Sequence, residues 1–463
     1  MGNQIAGGQH AQSAHCSGTL CAAAFLKIYQ GFDNVKNFKW WPVLGLVVVA
    51  SVALTACSGS SSNNNGGSLR VVNLTLTHPS LDLLVNSSAA VSGTAIDTVS
   101  AFVGVSSGSN ALQLNDNGQT TSLATTSPTI TGSQHYALVA YEVSGAVKMA
   151  VLTEDFATPA TGSAQLRVYD TATDAGALDV YVTAPGVDLS TVGAPTFTIT
   201  ALSFAQTSAL TTFTPGTYEV RVTGSGVKSD LRADIPVVLT SQQIGTVVLT
   251  PAVGGVLLNG ATLIQQGAYT AARNTSARVR LVAAVSSAVT SVGATAGTAT
   301  IPGGTGLPSV GSYVTVPAVG PLSVLVNGAA QTLPVSTLVA GSDNTLMVYS
   351  SPTGPVVSVI ADDNHLPTDA TKLKLRLING LTGTSSTTLG LAADFSNVAS
   401  NVASGMASAY GLATASTSMR LDVTPSSVFS ATGLNLSGNA VYSLFVLDAL
   451  PASQTASQLV RDR

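Results

Sequence analysis

The sequence predicts an all-β protein built of tandem Ig-like β-sandwich domains behind an N-terminal segment and a flexible tether. Three observations lead there. A basic-apolar strand pattern recurs at intervals of about a hundred residues, the size of a small sandwich. Charged residues make up 9% of the 463-residue chain and hydrophobic types 45%. The hydrophobic residues are mostly Ala and Val interleaved with Thr, Ser and Gly, which suits strands exposed on one face. No amphipathic helix stands out; Asn397–Gly411, the best candidate, is rich in Ser and Gly and reads as a loop.

The amino terminus comes first. Lys36 and Lys39 precede Trp40-Trp41-Pro42, and VLGLVVVASVALTA then runs into Cys57. A positive stretch, an apolar stretch and a small-residue processing site form a secretory signal. Leu54, Thr55, Ala56 and Cys57 resemble the lipobox of bacterial lipoproteins. That resemblance implies that residues 1–56 are a lipoprotein signal peptide that is removed, that the Cys57 thiol is diacylglycerated, and that its new amino group takes an acyl chain such as palmitate. Residues 57–68, rich in Ser, Asn and Gly, then read as a tether. Ser58, rather than Asp, after the cysteine favours the outer membrane of a Gram-negative envelope. The alternative is an uncleaved membrane helix over about 40–56, at the lower limit for spanning. The first thirty or so residues exceed an ordinary signal, which places the expected translation start downstream of Met1. Cleavage removes Cys16 and Cys21, leaving Cys57 without a disulfide partner, so the domains must be stable through core packing.

Four units follow, over 69–163, 164–274, 275–371 and 372–463. Their opening strands are LRVVN from Leu69, LRVYD from Leu166, RVRLV from Arg278 and LKLRLIN from Leu373. Units one and two continue with LDLLV and LDVYV, which carry Asp82 and Asp179 at the same place. Unit two then shows Phe213–Gly226, with a turn at Pro215-Gly216 and an alternating strand through Tyr218, Val220 and Val222. Tyr313–Gly328 is a looser version in unit three. TEDFATP (Thr153–Pro159) and ADDNHLP (Ala361–Pro367) close units one and three, each with an acidic pair four residues ahead of a proline. Four sandwiches in a row are expected; the alternative is closer pairing, as two double units.

The lipobox together with LRVYD…LDVYV…FTPGTYEVRV…GTVVLT resembles the bacterial domain of unknown function family numbered 4397. The resemblance is best over 164–274, fair in units one and three, and weak in unit four, where LGLAAD replaces LDVYV. It implies a secreted or envelope-anchored protein with tandem repeats. The family has no established activity, so no catalytic residue is carried over.

The chemistry is read mainly by exclusion. Net charge is −4, and no basic stripe of the kind nucleic-acid binding requires is present. Gly104-Val105-Ser106-Ser107-Gly108 matches G-x-S-x-G, but a strand and a turn at Asn115–Gly118 follow, not the helix that a nucleophile elbow needs. His78, His135 and His365 show no metal-ligand spacing; His78 reads as a loop residue and His135 as a strand start. The junction carboxylates Glu154, Asp155, Asp362 and Asp363, with Asn364 and Asp369 near the second pair, are the candidate Ca²⁺ ligands, set against a plain solvated turn. Aromatics are 5% of the chain, thin for a sugar platform; Tyr169, Tyr181, Phe213 and Tyr218 fall in unit two and alternation sends most of them to a core. The expected function is therefore non-catalytic: an extracytoplasmic lipoprotein, held to the membrane through Cys57, with a structural or interaction role. The alternative is a ligand-binding module for envelope polysaccharide or peptide, with no cofactor beyond the calcium candidate.

Overall fold

The opening strand of each unit runs parallel to that unit's sixth strand, and this pairing organises the whole chain. In a computed structural model, which describes residues 66–143, 145–189, 197–285, 289–382, 388–425, 428–448 and 455–463, Leu69 pairs with Tyr136, Leu166 with Gly245, Leu281 with Leu346, and Leu377 with Leu444. The described residues are all-β. Each unit is a sandwich of one five-stranded and one four-stranded sheet. The five-stranded sheet holds the opening, sixth and seventh strands with short crossing strands; the four-stranded sheet runs third-second-fourth-fifth. The order of the opening, sixth and seventh strands and that of the four-stranded sheet recur in all four copies, while the second has a single crossing strand, Thr211–Phe213, and an extra edge strand, Tyr269–Ala272, beside its seventh. Opening strands begin at Gly67, Ala164, Ser276 and Lys372.

Local chemistry explains the turns. Val, Thr and Leu populate the strands because their branched or bulky side chains pack on a pleated face. Asn327-Gly328 joins two strands of unit three with φ of 49° and 80°, the left-handed pair that a two-residue type I′ hairpin needs. Gly66 and Gly67 behave differently. A Cβ at Gly66 would sit 2.6 Å from Val105 O, and one at Gly67 would sit 2.6 Å from Ile130 Cγ2. These glycines, expected to lie in the tether, belong to the sandwich, where only hydrogen fits between the strand and its neighbours.

Each sandwich encloses its own core: Leu69, Leu83 and Leu138 in the first, Val168, Val180 and Val247 in the second, Leu281, Val324 and Leu346 in the third, Leu375, Leu391 and Leu444 in the fourth. The five-stranded sheets are also buried on their outer faces. Val72, Val139 and Tyr141 of the first sandwich pack against Tyr169, Val248 and Ala261 of the second. Val282, Ala284 and Met347 of the third pack against Ile378, Phe445 and Leu447 of the fourth. The sandwiches therefore stand back to back as two double units, the closer arrangement. Strands exposed on one face, as expected, make up the four-stranded sheets, where Val227–Leu239 alternates, whereas the five-stranded sheets depart from that expectation: every residue of Ile244–Pro251 is buried. The candidate loop at 397–411 is likewise strand, lying in Ser396–Ala403, Met406–Ala407 and Gly411–Thr414. Pairing with neighbours outweighs the weak local preference of its Ser and Ala. The signal peptide, the lipobox residues Leu54, Thr55 and Ala56, and Cys57 lie outside the described residues.

Candidate functional site

Alternation along the opening strands places an arginine at one shared position on each outer face, and a second, Arg278, in the third copy. Leu69 and Val71 enter the first core, so Arg70 and Val72 face the neighbouring sandwich. Arg167, Arg280 and Arg376 hold the same register position in the other copies. Arg280 and Arg376 are each 1% exposed. Guanidinium groups so buried need a carboxylate partner and hydrogen bonds to offset the loss of water.

Between the third and fourth sandwiches the partners form a closed ring. Arg376 Nη2 donates to Asp362 Oδ1 at 2.5 Å, and Arg376 Nε donates to Ser443 Oγ at 2.8 Å. The Ser443 hydroxyl donates to Asp462 Oδ2. Arg280 Nη1 donates to Asp462 Oδ1 at 2.5 Å, and Arg280 Nε donates to Thr345 Oγ1 at 2.8 Å. The Thr345 hydroxyl then donates to Asp362 Oδ2 at 2.7 Å, closing the circuit. Two arginines, two hydroxyls and two carboxylates thus alternate. Each ion pair crosses from one sandwich to the other, while each hydroxyl serves its own.

Aromatic rings cap the guanidinium groups. Tyr313 lies 4.5 Å from Arg280, Phe445 4.8 Å from Arg280, and Tyr410 4.5 Å from Arg376. Burial works against the charge of Arg376, but Asp362 together with Tyr410, Asp462 and Tyr313 outweighs it and holds the guanidinium above its usual range. Burial first, then the Asp362 carboxylate, pushes the Tyr313 phenol well up, so it remains a donor, 2.5 Å from Asp362 Oδ2. The seam of the first pair is a half-version. Arg70 meets Glu154 Oε1 at 2.6 Å and the Gly267 carbonyl at 2.7 Å. Arg167 bonds Thr246 Oγ1 at 2.9 Å under the ring of Phe156, 4.4 Å away.

Arg463 extends the seam to the second sandwich. Its guanidinium bonds the carbonyls of Asp174, Gly255 and Asn364. Burial lowers its pKa to about 10, with Asp174 opposing. Close by, burial pushes Asp343 up to about 6 against the pull of Arg278, whose Nη1 lies 2.7 Å from Asp343 Oδ2.

The candidate calcium ligands divide between two roles. Glu154 and Asp362 belong to the seams. Asp155 accepts from the backbone and ring of His135 and from Gln266 Nε2. Asp363 accepts from His365 Nδ1 at 2.7 Å and from Lys374 Nζ at 2.6 Å. Burial raises Asp363, but His365 and Lys374 outweigh it and hold the carboxyl far below its usual range. These cations and N–H donors take the lone pairs that Ca²⁺ would use. Among the described residues, no three of His, Cys, Asp or Glu gather as a metal-holding group.

The other singled-out residues sit apart. Ser106 is exposed and its hydroxyl donates to Asn110 Oδ1 at 3.0 Å, in a turn that leads to the short strand Gly108–Ser109. His78 lies in a loop against Asp116 at 2.7 Å, and His135 opens its strand. Asp82 and Asp179 do the same job in two copies. Asp82 accepts from the backbone N–H groups of Gly93 and Gly118, and Asp179 from those of Ala201 and Gly226. Each ties two hairpins of its four-stranded sheet together.

The rings over the arginines are the residues sequence reasoning missed, and a signal for them exists. Ser100-Ala101-Phe102, Ser208-Ala209-Leu210, Gly311-Ser312-Tyr313 and Ser408-Ala409-Tyr410 stand at one structural position. The first residue of each crosses the opening strand, at Val71, Val168, Leu281 and Leu377. The third reaches the arginine, except in the second copy, where Leu210 leaves room for Phe156.

The fold and its seams define a tandem β-sandwich protein whose repeats pack in pairs, the third and fourth joined by buried ion pairs and the first and second by apolar packing and by bonds from Arg70 to the Gly267 and Ile264 carbonyls. Residues 67–181 match the family described as Domain of unknown function (DUF4397). The matched span is the first sandwich with the opening two strands of the second, not 164–274, where the resemblance was expected to be best. No curated protein matches the sequence. Among solved structures the chain is similar to "The Bacillus anthracis TIE protein", at 9% identity and a TM-score of 0.14, over 79% of this chain and 65% of that one. It is also similar to "Product complex of a multi-modular glycogen-degrading pneumococcal virulence factor SpuA", at 7% identity and a TM-score of 0.15, over 80% of this chain and 37% of that one. The chain thus spans under two thirds of either, and superpositions this loose say nothing of its activity.

Proposed function

We propose that this chain is a non-catalytic envelope lipoprotein, anchored through acyl chains on Cys57, whose four sandwiches form a stiff arm held off the membrane. The observation that carries the reading is the closed ring of Arg280, Asp462, Ser443, Arg376, Asp362 and Thr345. Four charged groups of this low-charge chain join its third and fourth domains, and a buried ion pair resists the sliding and hinging that loosely linked domains show. The lipobox supports the anchor.

The anchor is tested by growing cells with an alkyne analogue of palmitate and reading label on the protein. Label on the wild type, its loss in Cys57→Ala, and a processed amino-terminal peptide starting at Cys57 are expected. An unlabelled wild type, or label retained in the variant, overturns the anchor.

A further inference from the structure

Within each double unit the sandwiches meet through an apolar cluster. The second and third sandwiches, which join one double unit to the other, meet backbone against backbone. The Gly254 N–H donates to the Gly341 carbonyl at 2.8 Å, and the Asn364 N–H donates to the Gly254 carbonyl at 3.1 Å. Only glycine fits here. A Cβ at Gly254 would lie 2.4 Å from the Asp343 nitrogen and 2.8 Å from its Oδ1. One at Gly255, whose φ is +88°, would lie 2.5 Å from the His365 nitrogen. A joint held by hydrogen bonds depends on the polar groups beneath it being satisfied.

Asp343 lies under Gly254, at the start of the strand Asp343–Ser351 in the third sandwich. Its side chain is fully buried. Oδ2 accepts from Arg278 Nη1 at 2.7 Å and from Asn364 Nδ2 at 2.6 Å, whereas Oδ1 is buried without a hydrogen-bond partner among the described residues. The amide oxygen of Asn364 is buried and unmet in the same way. One N–H···O bond thus links two groups that each keep an orphaned acceptor, and a proton on Asp343 turns one acceptor into a donor. Ionised, Asp343 needs water at Oδ1, where Gly254 stands in the closed joint.

The charges around Asp343 come from each element packed against it. Arg278 is on the opening strand of its own sandwich, and Arg463 reaches in from the fourth. Asp362 lies beside it on the seventh strand, and Tyr313 places its hydroxyl 3.3 Å from Asn364 Nδ2. The second sandwich contributes Asp174, paired with Arg463, and Arg232 beyond it. His365 pairs with Asp363, which also holds Lys374. Burial is the largest influence on the Asp343 carboxyl and pushes it up to about 6; Asp362 adds to the rise, while Arg278, Asn364 and Arg463 oppose it.

We propose that Asp343 is a proton switch for the joint between the two double units. Protonated, it lets Gly254 close over it and the four sandwiches act as one arm. Ionised, it draws in water and frees the arm to bend between the second and third sandwiches. This deepens the stiff-arm reading, and rests on it, by naming the condition under which the middle of the arm yields. An acid whose pKa is raised in the closed joint favours closure fully below the ordinary carboxylate range. That contribution is gone once pH has risen through about 6.

The test is hydrogen–deuterium exchange of the full-length protein in detergent at about pH 5 and about pH 8, corrected for the intrinsic effect of pH. It is read at Gly254 and Asn364, whose N–H groups cross the joint. Protection at both is expected to fall by about tenfold between the two conditions, while Lys372–Gly380 within the fourth sandwich keeps its own. Asp343→Asn, which keeps the shape and adds an N–H, is expected to abolish the fall. Asp170→Asn, which removes another raised and buried acid, is expected to retain it. Gly254→Ala is expected to leave Asn364 unprotected in both conditions. Equal, high protection of the wild type at both pH values overturns the switch and leaves the stiff arm standing, as does a fall that persists in Asp343→Asn. An unprotected joint at both pH values overturns the stiff arm, and the switch with it.

Discussion

Arg376, on the opening strand of the fourth sandwich, is paired at 2.5 Å with Asp362, the acid that closes the third, and both side chains are at most 1% exposed. The pair joins residues from adjacent copies rather than from one copy. Asp362 also accepts from Thr345 and Tyr313, so its loss strands an arginine and two hydroxyls. Asp362→Ala is expected to cost about 3–5 kcal/mol, the usual penalty of a buried charge left without its partner. The double variant Asp362→Leu with Arg376→Met is expected to lose less than the sum of its singles by about 2 kcal/mol. Urea unfolding of the four proteins gives the comparison; strict additivity would mean that the pair is not coupled.

Asp170 holds the place that Asn73 and Asn379 hold in the first and fourth copies. There the amide donates across to the four-stranded sheet, to Thr94 O and Val402 O, at 3.1 and 2.9 Å. Asp170 is fully buried, and its Oδ2 has no partner in its ionised form. Burial pushes its pKa from 3.8 up to about 7, with the Ala172 N–H opposing. An acid raised on folding stabilises fully below its unfolded pKa and loses that contribution as pH rises through the folded one. Stability is therefore expected to fall between about pH 4 and pH 7, by on the order of 2–4 kcal/mol. Asp170→Asn restores a neutral donor, so this fall is expected to vanish and the variant to be the more stable protein at pH 8. Melting curves across that range read the outcome; parallel profiles for the two proteins would count against it.

Asp179 works in the opposite direction. Burial raises its pKa, but the N–H groups of Ala201 and Gly226, with Ser225 and Tyr181, outweigh it and hold the carboxyl below its usual value. Its contribution is present above the unfolded pKa and is lost as pH falls below the ordinary carboxylate range. Asp179→Ala is expected to cost about 2–3 kcal/mol, as for hydrogen bonds to a charged acceptor. Amide exchange at Ala201 and Gly226 is expected to rise. Unchanged protection there would show that the turns stand without it.

Much of this plan was legible in the sequence, and the residues show where legibility ends. The four opening strands and the shared place of Asp82 and Asp179 are local patterns, and a local pattern survives in a linear reading. The junction acids Glu154 and Asp362 were recognised as a recurring feature, but their partners were not. Asp362 meets an arginine on the following copy, whereas Glu154 meets Arg70 of its own copy, 84 positions back; such pairings are set by how sheets stack, which no spacing records. One signal could have been used. Every opening strand carries an arginine on the face opposite its core leucines and valines, joined by Arg278 in the third copy and Lys374 in the fourth, and a charge on a sheet buried on both sides needs an acid. The aromatic caps had a signal as well, the tripeptides ending at Phe102, Tyr313 and Tyr410, but their shared role shows only once the strand crossing is known.

The parallel pairing of the first and sixth strands has a consequence for how such a chain is counted. Leu69, Tyr136 and Thr153 lie side by side across the sheet, so the chain enters and leaves a sandwich at the same end. A copy can thus be gained or deleted without moving the ends of its neighbours. The outer face sets the other half of the rule: one sandwich alone would turn its arginine, valines and tyrosine to water. Growth or loss of the array is therefore a matter of parity, with copies added or removed two at a time.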